Sequence, residues 1–168
     1  MHWVRRGGPI TAQLKPAVNS SPMEKIFWDD LEEGSVIWGN TVVVDPEEML
    51  EYARRNDPQP FHLDEEAAKA TIFGGLIASA GYTVTLWYRS CIPILTKFEF
   101  LGGSEWLIKL SAPVRPNDRL RVRVEIKSKR ASSKPGRGYV AAFHEILNQD
   151  DIVVFSCEVT WMLAIRPD

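Results

Sequence analysis

The second half of the chain alternates apolar and polar residues with a period of two. Leu120, Val122, Val124 and Ile126 alternate with Arg121, Arg123, Glu125 and Lys127, and Val153, Phe155, Cys157, Val159, Trp161 and Leu163 repeat at the same spacing. That period places one residue type on each face of a strand, so both stretches read as half-buried strands. Trp106 to Ala112 and Tyr139 to Leu147 read as two further strands, with turns at Arg115-Pro116-Asn117-Asp118 and Asn148-Gln149-Asp150-Asp151. Val36 to Val44, rich in β-branched residues, is a strand in the first half. From Leu76 through Trp87 the residues are apolar or small almost all round, the pattern of a buried helix, with Ser79 a cap for its inner portion and Pro93 barring continuation.

Asp45-Pro46-Glu47-Glu48 carries the signals of a helix start: an acceptor at the cap, proline at the first position, and a glutamate to complete a capping box. Met49, Leu50, Tyr52 and Ala53 give that helix an apolar side, and it must stop before Pro58. Asp64 caps a short helix from Glu65 to about Thr71, which Gly74-Gly75 breaks. One strand, then helices, then a run of strands predicts an α+β fold, an antiparallel sheet around one buried helix. Residues 1–22, poor in periodicity and rich in Gly, Pro, Asn and Ser, are expected to be a flexible tail, leaving one domain over 23–168.

Composition narrows the function only by exclusion. The 168 residues are 45% hydrophobic and 25% charged, ordinary for a globular domain. A formal net charge of −2 supplies no electrostatic reason for a nucleic-acid or anionic-membrane partner. No run approaches the ~18 apolar residues of a membrane span, and Met1 to Leu14 lack the apolar core of a signal peptide. The two cysteines, Cys91 and Cys157, show no metal spacing and are expected to be small apolar fillers in a reducing, cytoplasmic setting.

The chemistry concentrates in Asn56-Asp57-Pro58-Gln59-Pro60-Phe61-His62-Leu63-Asp64. Two prolines fix their own φ angles and push Asp57 and Gln59 away from helix, so the stretch is expected to be a stiff, non-helical arm. Fully extended, five residues span up to ~17 Å, so the arm must bend for Asp57 and His62 to reach one water. Taken singly, Asp57 reads as a helix-end turn residue and His62 as a hydrogen-bonded structural histidine. Together they are a carboxylate and an imidazole able to exchange protons with a shared water. Asp64 reads as a cap and His144 as structural. Lys127, Lys129, Arg130, Lys134 and Arg137 form a basic cluster at a hairpin, read as a solvated tip ahead of a coenzyme A phosphate contact.

The stretch Asp57-Pro58-Gln59-Pro60-Phe61-His62-Leu63-Asp64-Glu65-Glu66-Ala67-Ala68-Lys69, followed by Phe73-Gly74-Gly75-Leu76-Ile77-Ala78, resembles the motif of MaoC-like dehydratases and (R)-specific enoyl-CoA hydratases. Ala112-Pro113-Val114-Arg115-Pro116-Asn117-Asp118 resembles that family's turn before a long strand, with Asn117 where glycine is usual. The resemblance runs from about Phe27 to Leu163. It implies a hot-dog fold, at least a homodimer, and an acyl-thioester tunnel near the subunit interface. It also implies Asp57 and His62 as the acid/base pair, with a backbone amide of Ala80 or Gly81 for the thioester oxygen. The pocket it implies draws on Pro60, Phe61, Phe73, Gly74, Gly75, Ser79 and Tyr88. Ser79-Ala80 stands where many members have His-Gly, and Tyr88 where some have a small hydroxyl residue.

The expected activity is hydration of an enoyl-CoA, or the reverse dehydration, with coenzyme A thioester as substrate and neither metal nor other cofactor. Two rivals use the same scaffold: a thioesterase, in which water attacks the thioester carbonyl, and a non-catalytic acyl-CoA-binding subunit of a heteromeric dehydratase.

Overall fold

A computed structural model describes residues 24–167; the tail expected over 1–22 lies outside the described residues. Five strands form one antiparallel sheet: β1 (Val36–Val43), β2 (Phe100–Leu110), β3 (Arg119–Ala131), β4 (Arg137–Leu147) and β5 (Val153–Ala164). Their spatial order is β1-β3-β4-β5-β2, so β1 and β2 are the two edges. Three helices, α1 (Pro46–Asn56), α2 (Pro60–Leu63) and α3 (Glu65–Lys69), precede the long α4 (Ala80–Leu95), which packs its buried side on one face of the sheet. This is the α+β arrangement that the order of elements implied, and the hot-dog fold that the family resemblance implied.

The alternation in β3 and β5 does what its period requires. Leu120, Val122, Val124 and Ile126 are fully buried, as are Phe155, Cys157 and Leu163, and they meet Tyr82, Leu86, Trp87, Cys91 and Ile94 of α4. Removing this much apolar surface from water is the main stabilising contribution available to such a fold. The helix approaches β1 closely because position 39 has no side chain: a Cβ there would collide with the Ser90 carbonyl. Ser90 then fills the irregularity in β1 between Trp38 and Thr41, its hydroxyl donating to the Asn40 carbonyl and accepting from the Val122 amide at 3.1 Å. A buried hydroxyl satisfied on both sides is a specific lock between helix and sheet.

Several local expectations change in detail. The Asp45 carboxylate accepts from the Glu47 and Glu48 amides at 2.8 and 3.1 Å, and Pro46 opens α1 as predicted. Glu48 does not close a capping box; its carboxylate accepts from the Tyr82 hydroxyl at 3.0 Å and from the Arg89 guanidinium, tying α1 to α4. That guanidinium holds the Glu48 carboxyl below the usual carboxylate range, while burial, reinforced by Glu48, pushes the Tyr82 hydroxyl up. Pro93 does not end α4, which continues to Leu95. The proline falls in the last turn, where burying Ile94 and the Thr96 contacts to the Ile92 carbonyl offset one missing backbone bond. The helix starts at Ala80 rather than Leu76, because Ala78 donates to the Val114 carbonyl at 2.8 Å in an extended segment. Asn117 adopts φ +68°, the left-handed turn for which asparagine is the tolerated substitute for glycine.

Candidate active site

The arm after α1 bends twice in six residues. Asp57 closes α1, donating its amide to the Ala53 carbonyl, and its own carbonyl accepts from the Gln59 amide at 2.8 Å, a tight turn centred on Pro58. Pro60 then occupies the first position of the one-turn helix α2, where a missing N–H costs nothing. The arm is therefore not wholly non-helical, as the prolines alone suggested: Pro60 starts a turn that contains His62. These two bends bring the ends together, with His62 Nε2 3.4 Å from Asp57 Oδ2. Asp64, as expected, caps α3, accepting from the Ala67 amide at 2.7 Å.

His62 is buried while Asp57 is partly open. The Phe61 ring stands edge-on to the imidazole at 4.5 Å, and Phe73 packs on Phe61. His62 Nδ1 lies 2.8 Å from the Ile77 carbonyl oxygen. A carbonyl can only accept, so Nδ1 carries the proton and Nε2, facing Asp57, is the nitrogen that exchanges one. A carboxylate oxygen and an imidazole lone pair thus converge on one point, an arrangement suited to holding and polarising a water.

That point opens into a cleft of about 380 Å³ lined by Asp57, Phe61, His62 and Phe73, by Ile77, Ala78, Ala80 and Thr83 around the start of α4, and by Leu110 to Val114 after β2. Ser79 is buried and caps α4, its hydroxyl accepting from the Tyr82 amide at 3.3 Å while its carbonyl accepts from the Thr83 amide. The Ala80 and Gly81 amides, the first two of the helix, have no acceptor among the described residues. Helix N-terminal amides left over in this way favour a developing negative charge.

The residues expected to form the site divide. Asp57, Phe61, His62, Phe73 and Ala80 meet in the cleft. Gly81 does not line it, and a Cβ at position 81 would meet the Tyr52 hydroxyl oxygen at 2.6 Å. Pro60 and Ser79 do not line the cleft; they start α2 and cap α4, the helices that carry His62 and Ala80. Gly74 and Gly75, at φ +65° and +158°, shape the loop outside the cleft. Tyr88 also lies outside it, packed on Trp87 and Trp106. Eight residues beyond Ala80 it is about 12 Å further along the helix and rotated by roughly 80°.

Two contributions are not visible as motif chemistry. Arg115 donates to the Phe73 carbonyl at 2.6 Å and the Leu76 carbonyl at 3.4 Å, and Glu65 accepts from the Leu76 amide at 3.3 Å. Arg115 therefore clamps the loop whose next carbonyl, that of Ile77, orients His62. The Ala112-Pro113-Val114 stretch, read from sequence as a turn, is a cleft wall. Conversely, the basic hairpin is largely engaged within the molecule: Lys129 lies on Trp28 and donates to the Leu31 carbonyl, Arg130 lies on Tyr139, and Lys127 pairs with Glu125.

Residues 32–145 match the MaoC-like domain family, and the chain belongs to it. A crystal structure of the MaoC-like dehydratase from Rhodospirillum rubrum superposes with a TM-score of 0.78 at 31% identity, covering 85% of this chain and 99% of that one. The unliganded R-hydratase PhaJ1 from Pseudomonas aeruginosa shares the fold, with a TM-score of 0.61 at 24% identity over 85% of this chain and 88% of that one. Among curated proteins, the uncharacterized protein YdeM of Bacillus subtilis (strain 168) is 26% identical over 137 residues, 80% of this chain and 96% of its own length. The family is thus that of the MaoC-like domain, and the fold is the one that the MaoC-like dehydratase and the R-hydratase share. Among the described residues no group of His, Cys, Asp and Glu is placed to hold a metal ion, and no helix is long and apolar enough to cross a membrane.

Proposed function

We propose that the protein adds water across the 2,3 double bond of an enoyl-CoA thioester to give a 3-hydroxyacyl-CoA, or eliminates it in reverse. The observation that carries this reading is the convergence of Asp57 Oδ2 and His62 Nε2 in a cleft that also contains Ala80, at the start of α4. A water held by the pair places its oxygen on C3. The pair takes one proton from that water and returns one to C2, so neither residue is changed at the end. Each positioned proton transfer is worth ~10²–10⁴-fold. The enolate oxygen formed in between is met by the Ala80 amide, and one such donor is worth roughly 10²–10³-fold.

The same reading makes the molecule at least a homodimer. Edge strand β2 has a neighbour on one side only, and it exposes Trp106, Leu107, Ile108 and Leu110. An apolar edge strand is a ready surface for pairing with another copy. The two unpaired, buried cysteines fit a reducing, cytoplasmic setting. The test is loss of the conjugated double bond across a series of trans-2-enoyl-CoA chain lengths, with a thiol reagent in parallel. Absorbance loss without thiol release is the expected result. Thiol release without hydration makes it a thioesterase, and binding without either product makes it a carrier subunit.

A further inference from the structure

A second cavity, about 130 Å³, lies further along α4, between Trp87, Tyr88 and Cys91 of the helix and Trp106 and Trp161 of the sheet, with His144 of β4 in its wall. His144 is almost wholly buried, and the rings of Trp87 and Trp161 stand close to perpendicular to it, each at 5.3 Å. The Trp87 indole N–H donates to His144 Nδ1 at 3.0 Å. An indole nitrogen is only ever a donor, so Nδ1 holds the lone pair and the ring proton sits on Nε2. Among the described residues, that Nε2 is the buried side-chain nitrogen or oxygen left without a hydrogen-bond partner. Buried donors are almost always satisfied, and one left over beside a cavity points to a group that the cavity receives.

We propose that this cavity binds the far end of the substrate's acyl group, and that it selects a tail carrying an uncharged oxygen acceptor, a ketone or an ether, for the Nε2–H of His144. The assignment rests on the thioester reading above. Tyr88 and Cys91 lie eight and eleven residues beyond Ala80, so the cavity begins about 12–16 Å along the same helix from the thioester end. Its size, about four water volumes, suits a chain end or one small ring. The aromatic walls favour a flat or apolar body, with the Nε2–H of His144 as the buried directional contact for the oxygen. Burial pushes His144 down to about 3, so the ring is neutral near pH 7 and offers a hydrogen bond without a positive charge. A carboxylate tail finds no counter-charge there and is excluded by the cost of desolvation.

The first test needs no turnover. Cyclohexanone and cyclohexane are titrated against the intact protein, following side-chain nitrogens of His144 and Trp87 by ¹H–¹⁵N NMR. The ketone is expected to bind about fivefold tighter and to shift Nε2–H. His144→Phe is expected to bind both probes equally; Trp106→Leu, which removes one aromatic wall of the cavity, is expected to lose binding of both while the rest of the amide spectrum stays that of the folded protein. Equal binding of the two probes by the unaltered protein, or no binding of either, overturns the pocket as an acceptor site and leaves the hydratase reading standing. The second test compares trans-2-enoyl-CoA esters with and without a distal ether oxygen. A preference of about fivefold in kcat/KM, lost in His144→Phe, supports the proposal. Equal turnover despite selective ketone binding overturns the acyl-tail assignment. Selective binding with neither ester hydrated overturns the hydratase reading.

Discussion

His62 Nδ1 lies 2.8 Å from the carbonyl oxygen of Ile77, and that single contact decides which face of the imidazole works. The proton is held on the far side, and the exchangeable nitrogen is aimed at Asp57 Oδ2, 3.4 Å away. The partner of the histidine is a backbone carbonyl, so substitution at position 77 leaves it in place. The expected effects therefore fall on the pair itself and on the loop that carries the carbonyl.

Asp57→Asn removes the anionic acceptor at a partly exposed position while keeping its shape. Enoyl-CoA hydration is expected to fall ~10²–10⁴-fold, with the melting temperature within a few degrees of the parent. Near-normal turnover in both this variant and His62→Ala would sink the acid/base assignment.

Arg115→Lys keeps the charge but cannot bridge the Phe73 and Leu76 carbonyls as a planar fork does. The loop then holds Ile77 less firmly, and kcat is expected to drop by up to ~10²-fold, the scale of an ångström-level misplacement. The check is kcat and melting temperature measured side by side; a loss of stability with kcat unchanged makes Arg115 purely structural.

Ser79→Ala deletes the cap of α4, whose hydroxyl accepts from the Tyr82 amide. The expected cost is ~1 kcal/mol, or roughly 2–4 °C in melting temperature for a chain of this size. Ser79→Asp or Asn is expected to recover part of it, as measured by thermal denaturation.

Gly81→Ala drives a methyl into the Tyr52 ring, against which the helix start is packed. A loss of ~1–3 kcal/mol is expected, partly recovered in Gly81→Ala/Tyr52→Phe because the nearest atom is the phenol oxygen. Full additivity of the two substitutions in denaturant titrations would exclude the contact as the cause.

His144 gives the fold a pH dependence of defined sign. Burial lowers its value in the folded state to about 3, against about 6.5 when unfolded. Above pH 6.5 both states are neutral and this group has no effect. As pH falls below 6.5 the unfolded chain takes up the proton first, so stability drops by up to ~1.4 kcal/mol per unit, about 2 kcal/mol by pH 5. Urea titrations between pH 7 and 5 read the slope, which is expected to flatten in His144→Phe.

The parts of this structure legible from sequence are those whose cause lies within a few residues. Asp45 and Asp64 cap helices through amides two or three positions away. The alternation of β3 and β5 records which face each residue buries, and Asn117 marks its own left-handed turn. The motif from Asp57 to Ala78 likewise announced the family. What the chain could not show locally is where distant backbone arrives. The sequence requires a bend that closes Asp57 on His62 and offers two prolines for it; the turn at Pro58 and the helical start at Pro60 are its actual form. The Ile77 carbonyl, the Val114 wall and the Arg115 clamp come together only when α4 settles in the sheet. Tyr88 lies outside the Asp57/His62 cleft for the same reason: α4 turns 100° per residue, and its contacts follow the face that packing selects. Hydrogen bonds of cap and turn are local and can be read in order along the chain. The site is a set of non-local contacts, and the burial of α4 against the sheet, closest at β1, decides which of them form.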